Sequence, residues 1–132
     1  MFVNNYPQFQ LCVFTRKLYG SRNDFIDEED NFRSVYGTII NRAYYSSYLL
    51  SLKWISEKYD FKFTNSRQSQ HEQVRKSLML RNEKAGYALS QLKKLRLTAD
   101  YNLEKKINHM EVLKSLKLMD LIFNELKFSV NS

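Results

Sequence analysis

One long segment of helical character restricts what this chain can fold into. Across residues 31–58, apolar side chains recur at the three- and four-residue spacing of an α-helix. The positions on this stripe are Phe32, Val35 or Tyr36, Ile39, Ala43, Ser47, Leu50 and Trp54. Tyr44, Tyr45 and Tyr48 widen the apolar surface beyond one stripe. We therefore predict a long central helix that other helices contact from more than one side.

Four other segments show the same period, at about 8–19, 69–80, 82–101 and 108–127. Pro7 suits the first turn of the first of these helices, and Gly20 suits its end. The predicted inward positions are Phe9, Cys12 or Val13, and Leu18; Val74, Leu78 and Met79; Ala85, Ala88 or Leu89, Leu92, Leu95 and Ala99; and Val112, Leu116, Met119, Phe123 and Leu126. The predicted helix caps are Ser69 with Glu72, Asn82, and Asn108 with Glu111.

Turn-forming residues are scarce, with three glycines and one proline in 132 residues. Phe61 and Phe63 alternate with polar residues, but no second strand is present for them to pair with, so residues 59–68 are predicted to be a loop. A 43% hydrophobic content is enough for one core. We predict a single all-α domain over residues 1–132, arranged as an up-and-down bundle of about five helices.

The net charge of +7 is unevenly distributed. Five basic and five acidic residues cancel through residue 52, whereas sixteen basic and nine acidic residues follow, so the whole excess lies in the C-terminal part. A basic surface there favours nucleic acid or an acidic partner protein. Lysine is also the ordinary residue of exposed helix positions, and this explanation stays open.

Several classes of site and location are disfavoured by the sequence. No apolar run approaches the length that crosses a bilayer, and no basic and apolar leader precedes the domain, so a soluble cytoplasmic protein is expected. Cys12 is the single cysteine and is expected to be buried. The acidic run 27–30 is interpreted as a helix cap rather than a calcium loop. Cys12, His71 and His109 lack metal-ligand spacing, so we expect no metal and no cofactor.

Two polar segments interrupt the apolar helices. Residues 41–45 read Asn-Arg-Ala-Tyr-Tyr in the long helix, and residues 96–101 read Arg-Leu-Thr-Ala-Asp-Tyr half a chain later. Arg96 and Asp100 are four residues apart and share a helix face. Arg42 is expected to be partly buried and therefore to need an acidic or hydrogen-bonding partner. If the two helices pack together, their junction is the candidate site.

In these segments the chain resembles the HEPN superfamily, in particular its small stand-alone bacterial and archaeal proteins. The residues that carry the resemblance are Asn41 to Tyr45 with Ser46, Ser47 and Tyr48, then His71 after a serine at a helix start, and then Leu95, Arg96, Ala99, Asp100 and Tyr101. Together they span about residues 30–127. The resemblance implies an α-helical bundle that works as a homodimer. Many such proteins are metal-independent ribonucleases, several of them toxins of toxin–antitoxin or phage-defence systems that act beside a nucleotidyltransferase.

The resemblance also implies roles for individual residues. Arg96 matches the arginine of a motif in which a histidine follows after four to six residues, and Asn41 is the polar residue from the long helix. The positions where that histidine would fall hold Tyr101, Asn102 and Leu103. Proton transfer near neutral pH suits histidine, whose pKa is about 6.5, far better than tyrosine near 10. His71 can supply a neutral base from a neighbouring helix start, where the helix dipole lowers its pKa, or it can serve in capping and packing.

Three functions are consistent with these residues. In the first, the protein binds or cleaves RNA: Arg96, Tyr101, Asp100 and His71 form the catalytic group, and Arg42, Asn41, Tyr45, Lys93 and Lys94 hold the phosphates. In the second, a non-catalytic HEPN module binds a nucleotide, a nucleotidyltransferase, an antitoxin or another protein. Arg42, Asp100 and Tyr45 are then a structural network. In the third, the bundle is a scaffold subunit without a ligand.

Overall fold

The structure is a computed structural model that describes residues 7–25, 32–101 and 107–131, with side chains for 10–24, 33–100 and 107–126. These residues form six helices and no strand. The helices are α1 (Pro7–Gly20), α2 (Arg22–Phe25), α3 (Phe32–Tyr59), α4 (Gln70–Arg81), α5 (Glu83–Tyr101) and α6 (His109–Asn131). The predicted all-α class is confirmed. The helix beyond the five predicted is α2, whose four residues are too few for a periodic signal.

α3 lies at the centre of the bundle and contacts α1, α4, α5 and α6. α6 packs against both α3 and α5, and α4 packs against α5. The larger apolar core joins these helices around Leu50, Leu92 and Ile122, all fully buried. A smaller core surrounds Ile39 and Val112 near the start of α3. The predicted central helix, contacted from several sides, is therefore confirmed.

Most of the predicted inward positions are buried. On α1 the inward residue is Cys12, whereas its alternative Val13 is 50% exposed, and burial raises the pKa of the Cys12 thiol. The predicted inward residues that are only half-buried are Leu18, Val35, Met79, Leu95 and Leu116. The side chains of Phe9 and Phe32, and the whole acidic run 27–30, lie outside the described residues.

The prediction that Arg42 is partly buried is wrong, since its side chain is exposed. It follows Ser34 and Thr38 at intervals of four residues, and all three side chains are exposed on one face of α3. The tyrosines, by contrast, turn toward neighbouring helices, and Tyr44 and Tyr48 are buried. A helix that is contacted from several sides can therefore still have one row of solvent-exposed residues.

Small residues line the buried side of α3. Ser46, Ser47 and Ser51 are fully buried, and each hydroxyl donates to a carbonyl of the preceding turn at 2.7–3.1 Å. The polar groups are thus satisfied within the helix. Ser46 also lies 3.3 Å from the sulfur of Met119 on α6. Because these side chains are small and their hydroxyls are satisfied, other helices can approach α3 closely here.

Side-chain caps begin three helices at the predicted positions. The Ser69 hydroxyl accepts from the Glu72 amide at 3.1 Å, and Asn82 Oδ1 accepts from the Ala85 amide at 3.0 Å. Asn108 and Glu111 form a reciprocal capping box, with bonds of 2.9 and 3.3 Å. The Ser69 box is half formed, because the Glu72 carboxylate pairs with Arg75 and Lys93 instead.

The predicted loop between α3 and α4 is confirmed, since residues 60–69 are not helical. Asp60 ends α3 in the left-handed region, with φ of 53°. After this residue, the Phe61 amide donates to the Ile55 carbonyl at 3.3 Å. Such a left-handed residue is a common way to terminate a helix and turn the chain.

Of the three glycines, Gly86 has the closest neighbouring atoms, and it lies where α4 and α5 contact each other. A Cβ atom at this position would lie 2.6 Å from Met79 Cα and 2.8 Å from Met79 N. Backbone atoms cannot move aside as the end of a flexible side chain can. Close contact between the two helices therefore requires glycine here.

We expect Gly86→Ala to lower the free energy of unfolding by about 1–3 kcal/mol, because the added methyl group forces α4 and α5 apart. Chemical denaturation followed by circular dichroism measures this. Gly20→Ala is the matched control, since nothing lies within 4 Å of a Cβ at Gly20. Equal stability of the two variants would contradict the close approach at Gly86.

Candidate functional site

Arg96 on α5 is the centre of the polar cluster. Its Nε donates to Asp100 Oδ2 at 3.1 Å, and its Nη2 donates to the Tyr45 hydroxyl at 3.3 Å. The guanidinium carbon lies 5.3 Å and 5.1 Å from the ring centres of Tyr44 and Tyr45, and the side chain is 14% exposed. A guanidinium carries five N–H groups, so three of them have no acceptor among the described residues.

A chain of hydrogen bonds connects this arginine to α3. Asp100 Oδ2 also accepts from Asn41 Nδ2 at 3.1 Å, and Asn41 Oδ1 accepts from Arg42 Nη1 at 3.2 Å. The carboxylate therefore bridges α5 and α3 while it holds Arg96. The sequence predicted such a network but assigned the buried arginine to Arg42. The structure corrects this, because the half-buried cation is Arg96 and Arg42 lies at the exposed end of the chain.

His71 completes the cluster from α4. It is the second residue of that helix, and its ring stacks on Tyr48 with 4.2 Å between centres and 13° between planes. The Tyr44 hydroxyl lies 2.6 Å from His71 Nδ1. Burial, followed by the charges of Arg96 and Lys93, lowers the pKa of His71 from 6.5. The imidazole is therefore neutral at pH 7.

The hydrogen bond from Tyr44 fixes which nitrogen of His71 carries the proton. Tyr44 is 1% exposed, and its hydroxyl has His71 Nδ1 as its one partner among the described residues. Burial raises the pKa of Tyr44 far above its usual value of 10, so the hydroxyl keeps its hydrogen. A buried O–H group donates where an acceptor exists. Nδ1 is then the acceptor, and Nε2 carries the hydrogen and becomes a donor.

The basic residues near His71 are partly neutralised. Glu72 pairs with Arg75, and Lys93 Nζ lies 3.7 Å from the second Glu72 oxygen. The hydrogen bonds from Arg75 lower the pKa of Glu72. The single Glu72 carboxylate thus pairs with two cations, Arg75 and Lys93, so the net charge of this group beside Arg96 remains positive. An anion can approach this surface with little electrostatic opposition.

One predicted site residue lies away from the cluster, and the side chain of another is not described. Lys94 is exposed and lies two positions before Arg96, which places it about 160° around α5, since a helix turns about 100° per residue. The side chain of Tyr101 lies outside the described residues. The residues that do meet are Asn41, Arg42, Tyr45, His71, Lys93, Arg96 and Asp100.

Tyr44 and Tyr48 belong to the cluster, although the sequence suggested only an apolar role for them. They are four residues apart on α3 and both stack on the His71 ring, with planes inclined by 15° and 13°. The signal in the sequence was the spacing itself, which puts two hydroxyl-bearing rings on one helix face. It could not indicate that both rings would contact a histidine on another helix, 27 residues beyond Tyr44 and 23 beyond Tyr48.

Comparisons of this chain with protein-family models, with curated proteins and with solved structures find no match. Within the described residues, no group of three or more His, Cys, Asp or Glu side chains is placed to hold a metal ion. No helix in the described parts of the chain is long and apolar enough to span a membrane.

We expect the imidazole ¹⁵N resonances of His71 to show a protonated Nε2 and an unprotonated Nδ1 at pH 7.5, because the buried Tyr44 hydroxyl donates to Nδ1. In Tyr44→Phe this donor is lost, and the pKa of His71 should rise because the neutral ring loses its hydrogen bond. Long-range ¹H–¹⁵N correlation spectra measure both. A protonated Nδ1 in the wild-type protein would contradict the assignment.

We also expect the pH dependence of stability to carry a contribution from His71. Its pKa is lower in the folded than in the unfolded chain, so the unfolded state binds more protons between that lowered value and about 6.5. The free energy of unfolding should therefore fall as the pH drops below about 6.5, and level off below the folded pKa. Urea titrations of the wild-type protein and of His71→Asn from pH 8 to 5 isolate this contribution. Parallel pH curves for the two proteins would exclude it.

Proposed function

We propose that this protein is a HEPN-like RNA-binding module in which Arg96 and His71 bind a phosphate of the RNA backbone. The observation that carries the proposal is the meeting of two ready hydrogen-bond donors, a restrained guanidinium and a neutral Nε2–H, in one half-buried cluster. Both donors are fixed by neighbours before a ligand arrives. Donors that are already in position bind with less loss of conformational freedom.

Arg96 is suited to a phosphate because of how it is held. Asp100 and Tyr45 accept one N–H from each of two nitrogens, and the ring centres of Tyr44 and Tyr45 lie 5.3 Å and 5.1 Å from the guanidinium carbon. The remaining N–H groups can form the paired bonds that planar guanidinium makes with phosphate oxygens. Asp100 neutralises part of the charge without closing the site, since its Oδ2 faces Nε rather than the outer nitrogens.

The charge distribution favours a polyanion over a single small anion. The whole excess of positive charge lies beyond residue 52, in the part of the chain that includes α4, α5 and α6. Basic residues spread over several helices can follow successive phosphates, and binding of this kind weakens as salt rises. The choice of RNA follows from the resemblance of the Asn41 and Arg96 segments to HEPN proteins.

The same resemblance leads us to propose a homodimer that places two such clusters in one cleft. Exposed apolar side chains are available for contacts between copies or with a nucleotidyltransferase or antitoxin, since Leu80 is 84% and Met110 70% exposed. A role in a toxin–antitoxin or phage-defence system belongs to this proposal.

Metal-independent RNA cleavage is the second candidate, and the position of His71 favours it. A histidine stands beside Arg96 even though it comes from α4 instead of from the residues after Arg96. Attack by a ribose 2′-hydroxyl needs a group that accepts its proton. The bond from Tyr44 makes His71 Nε2 a donor in the resting protein, so the tautomer would have to change first. We place binding ahead of cleavage for this reason.

One assay tests both candidates: a labelled single-stranded RNA is titrated with protein in EDTA, and its anisotropy and its integrity are followed together. We expect Arg96→Gln to weaken binding by about tenfold or more, because a charge-assisted contact is lost, and to lower the salt dependence by about one counterion. Lys94→Gln removes the same charge from the opposite side of α5 and should bind like the wild-type protein.

The outcomes separate the candidates. Binding without cleavage supports the module, and cleavage that is lost in both Arg96→Gln and His71→Asn supports the ribonuclease. Circular dichroism confirms that each variant is folded. If the wild-type protein neither binds nor cleaves RNA, or if Arg96→Gln and Lys94→Gln behave alike, the proposed function is overturned.

A further inference from the structure

A groove of about 330 Å³ opens on the surface next to the Arg96 cluster, between α3 and α5. Its wall includes Asn41 and Asp100, the same two residues that connect Arg96 to α3. Arg96 lies on one side of Asp100, and Arg42 lies on the other, at the end of the hydrogen-bond chain. The groove and the cluster are thus two adjacent parts of one surface.

The groove presents both donors and acceptors. Thr38 donates its hydroxyl hydrogen to the Ser34 carbonyl at 2.8 Å, so the lone pairs of its oxygen remain available as acceptors. Arg42 reaches the groove with an exposed guanidinium, of which Asn41 takes one N–H. Arg33 also lines the groove, and its guanidinium donates to the Ala99 carbonyl at 2.9 Å. Gly37 leaves this part of the wall without a side chain.

We infer that this groove binds the ribonucleotide next to the phosphate held by Arg96, an inference that rests on the proposed function. Arg42 binds the phosphate of that nucleotide, and Thr38 accepts a hydrogen bond from its ribose 2′-hydroxyl. The protein then contacts two successive phosphates and distinguishes RNA from DNA at the sugar between them.

The chemistry of the groove matches a ribonucleotide better than a simple anion. A cavity of this size falls at the lower end of the range for small-molecule sites, which suits one nucleotide. A lone phosphate has no use for an acceptor such as the Thr38 oxygen, whereas a 2′-hydroxyl donates to it. The exposed guanidinium of Arg42 supplies positive charge for a backbone phosphate. Oδ2 of Asp100 accepts from Arg96 and Asn41, and the pairing with Arg96 offsets part of the negative charge that would repel the phosphate.

The test compares a ten-nucleotide single-stranded RNA with the DNA of the same sequence by fluorescence anisotropy. We expect the wild-type protein to bind the RNA more tightly than the DNA. Thr38→Val should reduce this preference by about three- to tenfold, because one hydrogen bond to the RNA is removed, and should leave the affinity for DNA almost unchanged. Thr98→Val is the matched control, because Thr98 lies two residues beyond Arg96 and thus on the far side of α5.

Arg42→Gln tests the second phosphate. We expect it to weaken RNA and DNA binding equally and to lower the salt dependence by about one counterion, as is typical of a phosphate contact. Lys94→Gln is the charge-matched control. Both positions are exposed, and circular dichroism checks that the variants fold.

The result distinguishes failure of this inference from failure of the proposed function. If the wild-type protein binds RNA through Arg96, but Thr38→Val and Arg42→Gln behave like their controls, the groove does not bind the neighbouring nucleotide and the proposed function stands. Equal affinity of the wild-type protein for RNA and DNA overturns the role of Thr38. If Arg96→Gln itself has no effect, both proposals are overturned.

Discussion

The ion pair between Arg96 and Asp100 is the interaction on which the polar cluster depends. A guanidinium that is 14% exposed needs a nearby carboxylate and several acceptors to offset its loss of water. Asp100 supplies the charge, and Tyr45 and Asn41 complete the network across α3. The hydrogen bonds that offset the desolvation of the Arg96 guanidinium also hold its plane in one orientation. A guanidinium held in this way is suited to paired hydrogen bonds with a phosphate. The contacts that stabilise Arg96 are therefore the same ones that set the geometry we propose for phosphate binding.

A second constraint acts through Tyr44. Its buried hydroxyl has to donate, His71 Nδ1 is the acceptor in reach, and the stacked rings of Tyr44 and Tyr48 hold the imidazole in place. The result is a neutral histidine whose Nε2 carries the hydrogen and whose ring lies near enough to Arg96 to be affected by its charge. This arrangement explains why a histidine close to an arginine does not by itself indicate an acid–base catalyst. Acid–base catalysis depends on which ring nitrogen carries the proton. Here the hydrogen bond from the buried Tyr44 determines which nitrogen that is.

Helices and their ends were predictable because local forces specify them. The apolar periodicity of α3, α5 and α6, and the caps at Ser69, Asn82 and Asn108, depend on residues a few positions apart. The pairing of Arg96 with Asp100 was predictable for the same reason, since four residues separate them on one helix. Arg42 was mispredicted because periodicity does not show how far the neighbouring helices reach around α3.

The sequence by itself determined the all-helical architecture, most of the interior positions and the two polar segments that lie on α3 and α5. Only the tertiary structure decided that Arg96 is the half-buried cation, that His71 joins it, and that a groove opens beside Asp100. The physical reason is the distance along the chain between the residues that interact. Helix formation and capping are settled within one or two turns, whereas burial, the pKa of His71 and the position of its proton depend on residues that are distant in the chain and meet only when the helices pack.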